Sequence, residues 1–157
     1  LPRRRQIATA LAASPPAVKK SFVAPVGPRH HVLLADDNAL ALRVSSAQLT
    51  RCNCEVVTVS GGLPALERLA VEDFDVVVLD GQMPDLNGWE VARRLRSWPA
   101  GTRNVQTPIV ALTADLTPAA HARWLSAGVT VVVGKPVNTR ELYETLSRFP
   151  VGPRPAK

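Results

Sequence analysis

VVVLDGQMPDLNG (residues 76–88) joins a run of β-branched apolar residues, which burial stabilises, to a terminal carboxylate, Asp80, and then breaks at Pro84, Asn87 and Gly88. A short Val-rich run of this kind reads as a strand covered on both faces. Asp80 therefore stands at the tip of a buried strand, and the turn formers after it lead the chain away from the carboxylate.

Outward from this stretch the same unit repeats. HVLLA (31–35), CEVVTV (54–59), FDVVVLD (74–80), TPIVALT (107–113) and VTVVV (129–133) are the predicted strands. LALRVSSAQL, LPALERLAVE, WEVARRLRSW and PAAHARWLSA lie between them with apolar groups three and four residues apart, and NTRELYETLSRF closes the series as a fifth helix. Punctuation agrees: Asp37 or Asn38 can cap the first helix, Pro64 and Pro118 suit first turns, Gly128 stops the fourth helix, and Asn53 tolerates the left-handed conformation. Five strand–helix repeats with right-handed crossovers predict an α/β fold, a doubly wound parallel sheet. Such sheets bind ligands outside the carboxyl ends of their strands.

The groups at those ends share one chemistry. The first strand ends in Asp36 and Asp37, the third in Asp80 and the fourth in Thr113, and Lys135 follows the fifth. Three carboxylates brought together are tolerable only if they protonate or share a cation, and hard oxygen ligands favour Mg²⁺. Thr113 and Lys135 suit phosphoryl oxygens, and a carboxylate can act as nucleophile in phosphoryl transfer, which makes Asp80 the candidate. The plainer reading, a strand-end polar residue capping the next helix, leaves four matching groups at other junctions unexplained.

Composition bounds the rest. The 157 residues, 46% hydrophobic, suit one domain plus an appendage. Residues 1–31 carry six of the 19 basic side chains and no acid, which leaves 13 basic against 13 acidic groups in the remainder. The high pI therefore belongs to the tail, and a nucleic-acid-binding face on the folded part is not expected. Residues 1–30, basic and rich in Pro and Ala, read as a linker, 31–149 as the domain and 150–157 as a C-terminal tail. RRRQIATALAAS is too short and too interrupted for a signal peptide, a fragment of a longer protein is the simpler reading, and no membrane contact is expected within these residues. Cys52 and Cys54 are expected to be reduced thiols. His30, His31 and His121 read as solvated or structural, the three tryptophans as packing residues, and Arg93, Arg94 and Arg96 as the wet face of the third helix.

VLLADDN, GGLPALERL, VVVLDGQMPDLNGWEVARRLR, PIVALTA and AGVTVVVGKP together resemble the two-component response-regulator receiver domain over about residues 31–149, most like the receivers of hybrid sensor histidine kinases. The resemblance implies a flavodoxin-like sheet of five strands in order 2-1-3-4-5 with five helices. It implies that Asp80 accepts a phosphoryl group from phosphohistidine in a phosphorelay, and that Asp37, Asp80 and the main-chain carbonyl of Gln82 bind Mg²⁺ directly, with Asp36 acting through water. It further implies that Thr113 and Lys135 hold phosphoryl oxygens, that Gln82, Ala114 and Asp115 tune the lifetime of the aspartyl phosphate, and that the Lys135–Pro136 peptide is cis. The partner it implies is a histidine kinase or histidine phosphotransfer domain, docking on the first helix and the active-site face, in the cytoplasm or on the cytosolic side of a membrane-bound sensor kinase. No enzyme activity beyond self-catalysed phosphotransfer and autodephosphorylation is expected. One departure stands out: Val132 occupies a switch position where the family usually has Tyr or Phe, so a different or weaker response on the fourth-helix face is expected. Two alternatives remain, a pseudo-receiver that only binds proteins and a haloacid-dehalogenase-type phosphatase. The latter needs a second acid two residues after the nucleophile, where this chain has Gln82.

Overall fold

The computed structural model describes residues 27–152. Five strands, β1 (His30–Ala35), β2 (Cys54–Val59), β3 (Val76–Asp80), β4 (Ile109–Thr113) and β5 (Val131–Gly134), alternate with five helices. The helices are α1 (Ala39–Arg51), α2 (Gly62–Val71), α3 (Gly88–Arg96), α4 (Pro118–Ser126) and α5 (Thr139–Leu146). All strand pairs are parallel, in the order β2-β1-β3-β4-β5, so the direction of winding reverses between β1 and β3. The doubly wound sheet expected from the alternation is the fold observed.

Burial divides each strand by parity, as the pleat requires. Leu33, Ala35, Val77, Leu79, Ile109 and Ala111 face α2, α3 and α4 and pack on Leu69, Leu95 and Trp124. Val32, Leu34, Val76, Val78, Val110 and Leu112 face α1 and α5 and pack on Leu49, Leu142 and Leu146. Both cysteines lie in this second layer as buried free thiols, and burial pushes Cys52 up to about 11 and Cys54 to about 12.

Local chemistry sets the helix ends. Asn38, Thr117 and Asn138 each accept a hydrogen bond from the third residue of the helix that follows. Asn53 adopts φ 63° after α1, and Gly128 φ 100° after α4. Gly61 offers α2 no side-chain cap, and Asp85 takes over from another loop, its carboxylate accepting from the amides of Gly62 (3.1 Å) and Leu63 (2.9 Å). These bonds, Leu63's first, hold the Asp85 carboxyl below its usual range.

Three strands begin later than their apolar runs. The amide of Val129 is taken by the Trp124 carbonyl at the end of α4, so β5 starts at Val131, and Pro108, with no N–H to give, precedes β4. Arg96 corrects the expectation of a wet arginine face. Arg93 and Arg94 pair with Glu90 in solvent, but Arg96 is half-buried and donates to the carbonyls of Gly128 and Val105, each at 3.0 Å. His31 is structural: buried within β1, it stacks on Phe74 at 4.7 Å, bonds Glu72 through Nε2 and has Glu55 beside Nδ1, off the hydrogen-bond direction. Trp89 and Trp124 meet edge to face at 5.5 Å, as packing residues.

Asn104, unremarked in the sequence, ties the α2–β3 connection to the segment between α3 and β4. Buried and at φ 65°, it donates to the carbonyls of Leu69 and Glu72 and accepts from the Phe74 amide. Asn104→Ala orphans all three backbone groups and strains the left-handed residue, and is expected to cost about 2–4 kcal/mol. Urea denaturation followed by circular dichroism checks this value.

Candidate phosphoryl-acceptor site

Register places the functional side chains on one edge. Ala35 aligns with Leu79, Leu79 with Ala111 and Ala111 with Val132, so Asp36 and Asp80 come level at adjacent strand ends. Thr113 pairs with Gly134, immediately before Lys135. The edge opens into a cleft of about 1170 Å³ walled by α1, the β3–α3 and β4–α4 loops and the segment after β5.

Within it, carboxylate oxygens of Asp36, Asp37 and Asp80 all lie within 4.8 Å of one another. Asp36 is buried and Asp37 exposed, with Asp80 between these extremes. The ammonium of Lys135 lies 2.5 Å from Asp80 Oδ1 and 4.0 Å from Asp36 Oδ2. The Gln82 amide donates to Asp80 Oδ2 at 3.3 Å, and the Asn38 amide to Asp36 Oδ1 at 2.9 Å. Burial, reinforced by the charges of Asp80 and Asp37 and opposed by Asn38 and Lys135, holds the Asp36 carboxyl above its ordinary value.

Thr113 is buried beside this group but directs its hydroxyl to its own loop, where Oγ1 accepts from the Asp115 amide at 3.0 Å. Ala114 and Asp115 are exposed on the rim, and the Asp115 carboxylate accepts from the Thr117 amide, which lowers its pKa. Gln82 is exposed on the opposite rim. The Lys135–Pro136 peptide is cis. Val132 lies outside the cleft, half-buried in the layer that contains Trp89 and Trp124. All the site residues expected from the sequence thus border the cleft except Val132, which packs behind it.

Sequence reasoning missed one contributor to this edge, Gln48, while the apolar surface expected on the first helix is present. Gln48 donates to the Val137 carbonyl at 2.7 Å and fastens α1 to the segment after Lys135, a contact 89 residues apart in the chain. Leu40 and Val44 extend the cleft as an exposed apolar strip, 69% and 53% accessible.

Comparison with known proteins agrees with this geometry. Residues 32–147 match the response regulator receiver domain family. The sensor protein GacS of Pseudomonas syringae is 32% identical over 148 residues, 94% of this chain and 16% of that protein. The sensory/regulatory protein RpfC of Xanthomonas campestris is 34% identical over 123 residues, 78% of this chain and 17% of that protein. The chain therefore spans about a sixth of the length of these relatives. Among solved structures, the receiver domain of a sensor histidine kinase from Pseudomonas aeruginosa, with magnesium coordinated in its active-site cleft, superposes with a TM-score of 0.70 at 27% identity. That match covers 77% of this chain and 97% of that one. A chemotaxis response regulator of Vibrio cholerae gives 0.69 at 30% identity, covering 76% and 98%.

The raised pKa of Asp36 has a definite sign. A folded carboxyl above its unfolded value makes ionisation cost stability, a penalty fully present above the folded pKa and relieved as pH falls through it toward 3.8. In metal-free buffer Asp36→Asn is expected to be more stable than wild type at pH 7, with the gap closing as the pH approaches 4. Paired urea titrations across that range measure it.

Proposed function

The chain belongs to the response regulator receiver domain family, and from that premise we propose that Asp80 accepts a phosphoryl group from a phosphohistidine. The observation that carries this reading is the convergence of Asp36, Asp37, Asp80 and Lys135 at the carboxyl edge of the sheet.

An Asp80 oxygen attacks phosphorus, the phosphorus–nitrogen bond to the donor imidazole breaks, and the freed ring takes up a proton. Asp80 suits the nucleophile because β3 is buried along its length and fixes the carboxylate, while Gly81–Gly88 turns away and leaves the approach open. The Gln82 amide steadies one carboxylate oxygen and Lys135 the other. Once Asp80 is esterified, Lys135 is free to pair with a phosphoryl oxygen, and rotation of the Thr113 hydroxyl away from the Asp115 amide supplies a further hydrogen bond.

Three carboxylates against one ammonium leave a partly buried surplus of negative charge, and an all-oxygen donor set of this kind fits Mg²⁺. Asp37, Asp80 and the Gln82 carbonyl are assigned as direct ligands and Asp36 as a ligand through water. The cation supplies neutralisation of phosphoryl charge. Gln82, Ala114 and Asp115 rim the approach and govern access of the water that later hydrolyses the acyl phosphate.

The phosphohistidine donor, a histidine kinase or histidine phosphotransfer domain, is assigned to the strip of Leu40 and Val44 on α1, beside the cleft. The sensor-protein relatives support placing this receiver within a hybrid histidine kinase. No described helix is long and apolar enough to cross a membrane. With Val132 at the switch position, the response at α4 is assigned to other side chains.

Incubation with acetyl phosphate and Mg²⁺ is expected to add one phosphoryl group by intact mass, an addition abolished by Asp80→Asn or by a chelator. Thr113→Ala is expected to slow uptake by about ten- to a hundredfold. Unchanged phosphorylation of the Asp80→Asn protein overturns the assignment.

A further inference from the structure

We propose that Trp124 is a positioning residue for the phosphoacceptor loop, with the edge of its indole forming the seat on which Gly81 and Gly88 rest. The inference rests on the reading of Asp80 above and extends it to a residue on α4.

The argument starts from what a side chain at either glycine would meet. A Cβ on Gly81 would stand 3.0 Å from Trp124 Cζ2, with Thr113 Oγ1 at an ordinary 3.9 Å. One on Gly88 would stand 2.7 Å from Trp124 Cη2 and 2.4 Å from the Asp80 carbonyl oxygen. The six-membered ring thus reaches both ends of the loop that follows Asp80, and the Gly88 amide closes that loop on the Gly81 carbonyl at 3.2 Å. The same loop presents the Gln82 amide to the Asp80 carboxylate. A lateral shift of the indole therefore has to move the backbone on which the acceptor carboxylate is aimed, because no slack separates them.

The ring is held from the other side as well. Trp124 is 2% exposed, Trp89 meets it edge to face at 5.5 Å and 83°, and the Arg123 guanidinium lies 4.9 Å above Trp89. A continuous stack runs from the loop beside Asp80 to the surface of α4. Val132, the β5 side chain in this layer, is aliphatic and only half-buried. The large aromatic connecting the site with α4 is supplied by the helix instead.

A tryptophan that only fills volume would tolerate change without altering Asp80 chemistry, and two measurements on the 157-residue chain separate the roles. Trp89→Phe with Trp98→Phe leaves Trp124 as the sole tryptophan of three. Its emission is expected to change saturably on titration with beryllofluoride and Mg²⁺, and not to change when Asp80→Asn is added. In the second measurement, Gly81→Ala is expected to slow phosphoryl uptake from acetyl phosphate by about fivefold or more. Trp124→Leu is expected to slow it as well, and the double variant to be faster than Gly81→Ala alone, because the lost ring makes room for the methyl group. If Trp124→Leu does not fold, Trp124→Phe takes its place in the cycle. Silent Trp124 emission together with simple multiplication of the single effects, in a protein that still phosphorylates, overturns the inference and leaves the assignment of Asp80 standing. Absence of uptake by the wild type removes both.

Discussion

Asp36, Asp37 and Asp80 repel one another, and the sheet holds them together regardless. β1 and β3 are adjacent, parallel and buried on both faces, so neither can slide to relieve the charge without pulling apolar side chains out of register. That constraint shapes the surrounding groups. Lys135 reaches in from beyond β5, amides of Gln82 and Asn38 point at carboxylate oxygens, and the surplus charge gives an anion-bridging cation a reason to bind.

The two layers of the protein divide the labour. On the face of α1 and α5, Gln48 fastens α1 to the segment after Lys135, which keeps the apolar strip of Leu40 and Val44 in a fixed place beside the cleft. On the face of α2, α3 and α4, Asp85 caps α2 from the β3–α3 loop and Arg96 caps the end of α4 from α3. Neighbouring helices on that face are therefore coupled through polar contacts at their ends as well as through the core.

Much of this was legible in the sequence because the signals were local. Short apolar runs ending in Asp36, Asp80 and Thr113 located the strands and the edge where chemistry sits, and Asn53 and Gly128 marked helix ends by their own backbone preferences. What escaped was tertiary. Nothing near Asp85 indicates that it caps a helix 22 residues upstream, and nothing near Arg96 shows that its guanidinium leaves the solvent for carbonyls of two other segments. His31 could be read only as solvated or structural because its partners, Glu55, Glu72 and Phe74, come from β2 and the α2–β3 connection. The seating of Trp124 against Gly81 and Gly88 was invisible for the same reason.

The edge opposite the cleft holds both ends of the described chain. The carbonyls of Gly27 and Pro28 accept from the Asn53 side chain, while the two oxygens of Asp75 separately engage the amides of His31 and Gly152. Asp75 thus acts as a clasp that closes the fold into a loop in space, with the leads emerging side by side at the far pole. The first and last described residues therefore lie opposite the acidic mouth, and neither of them lines the cleft.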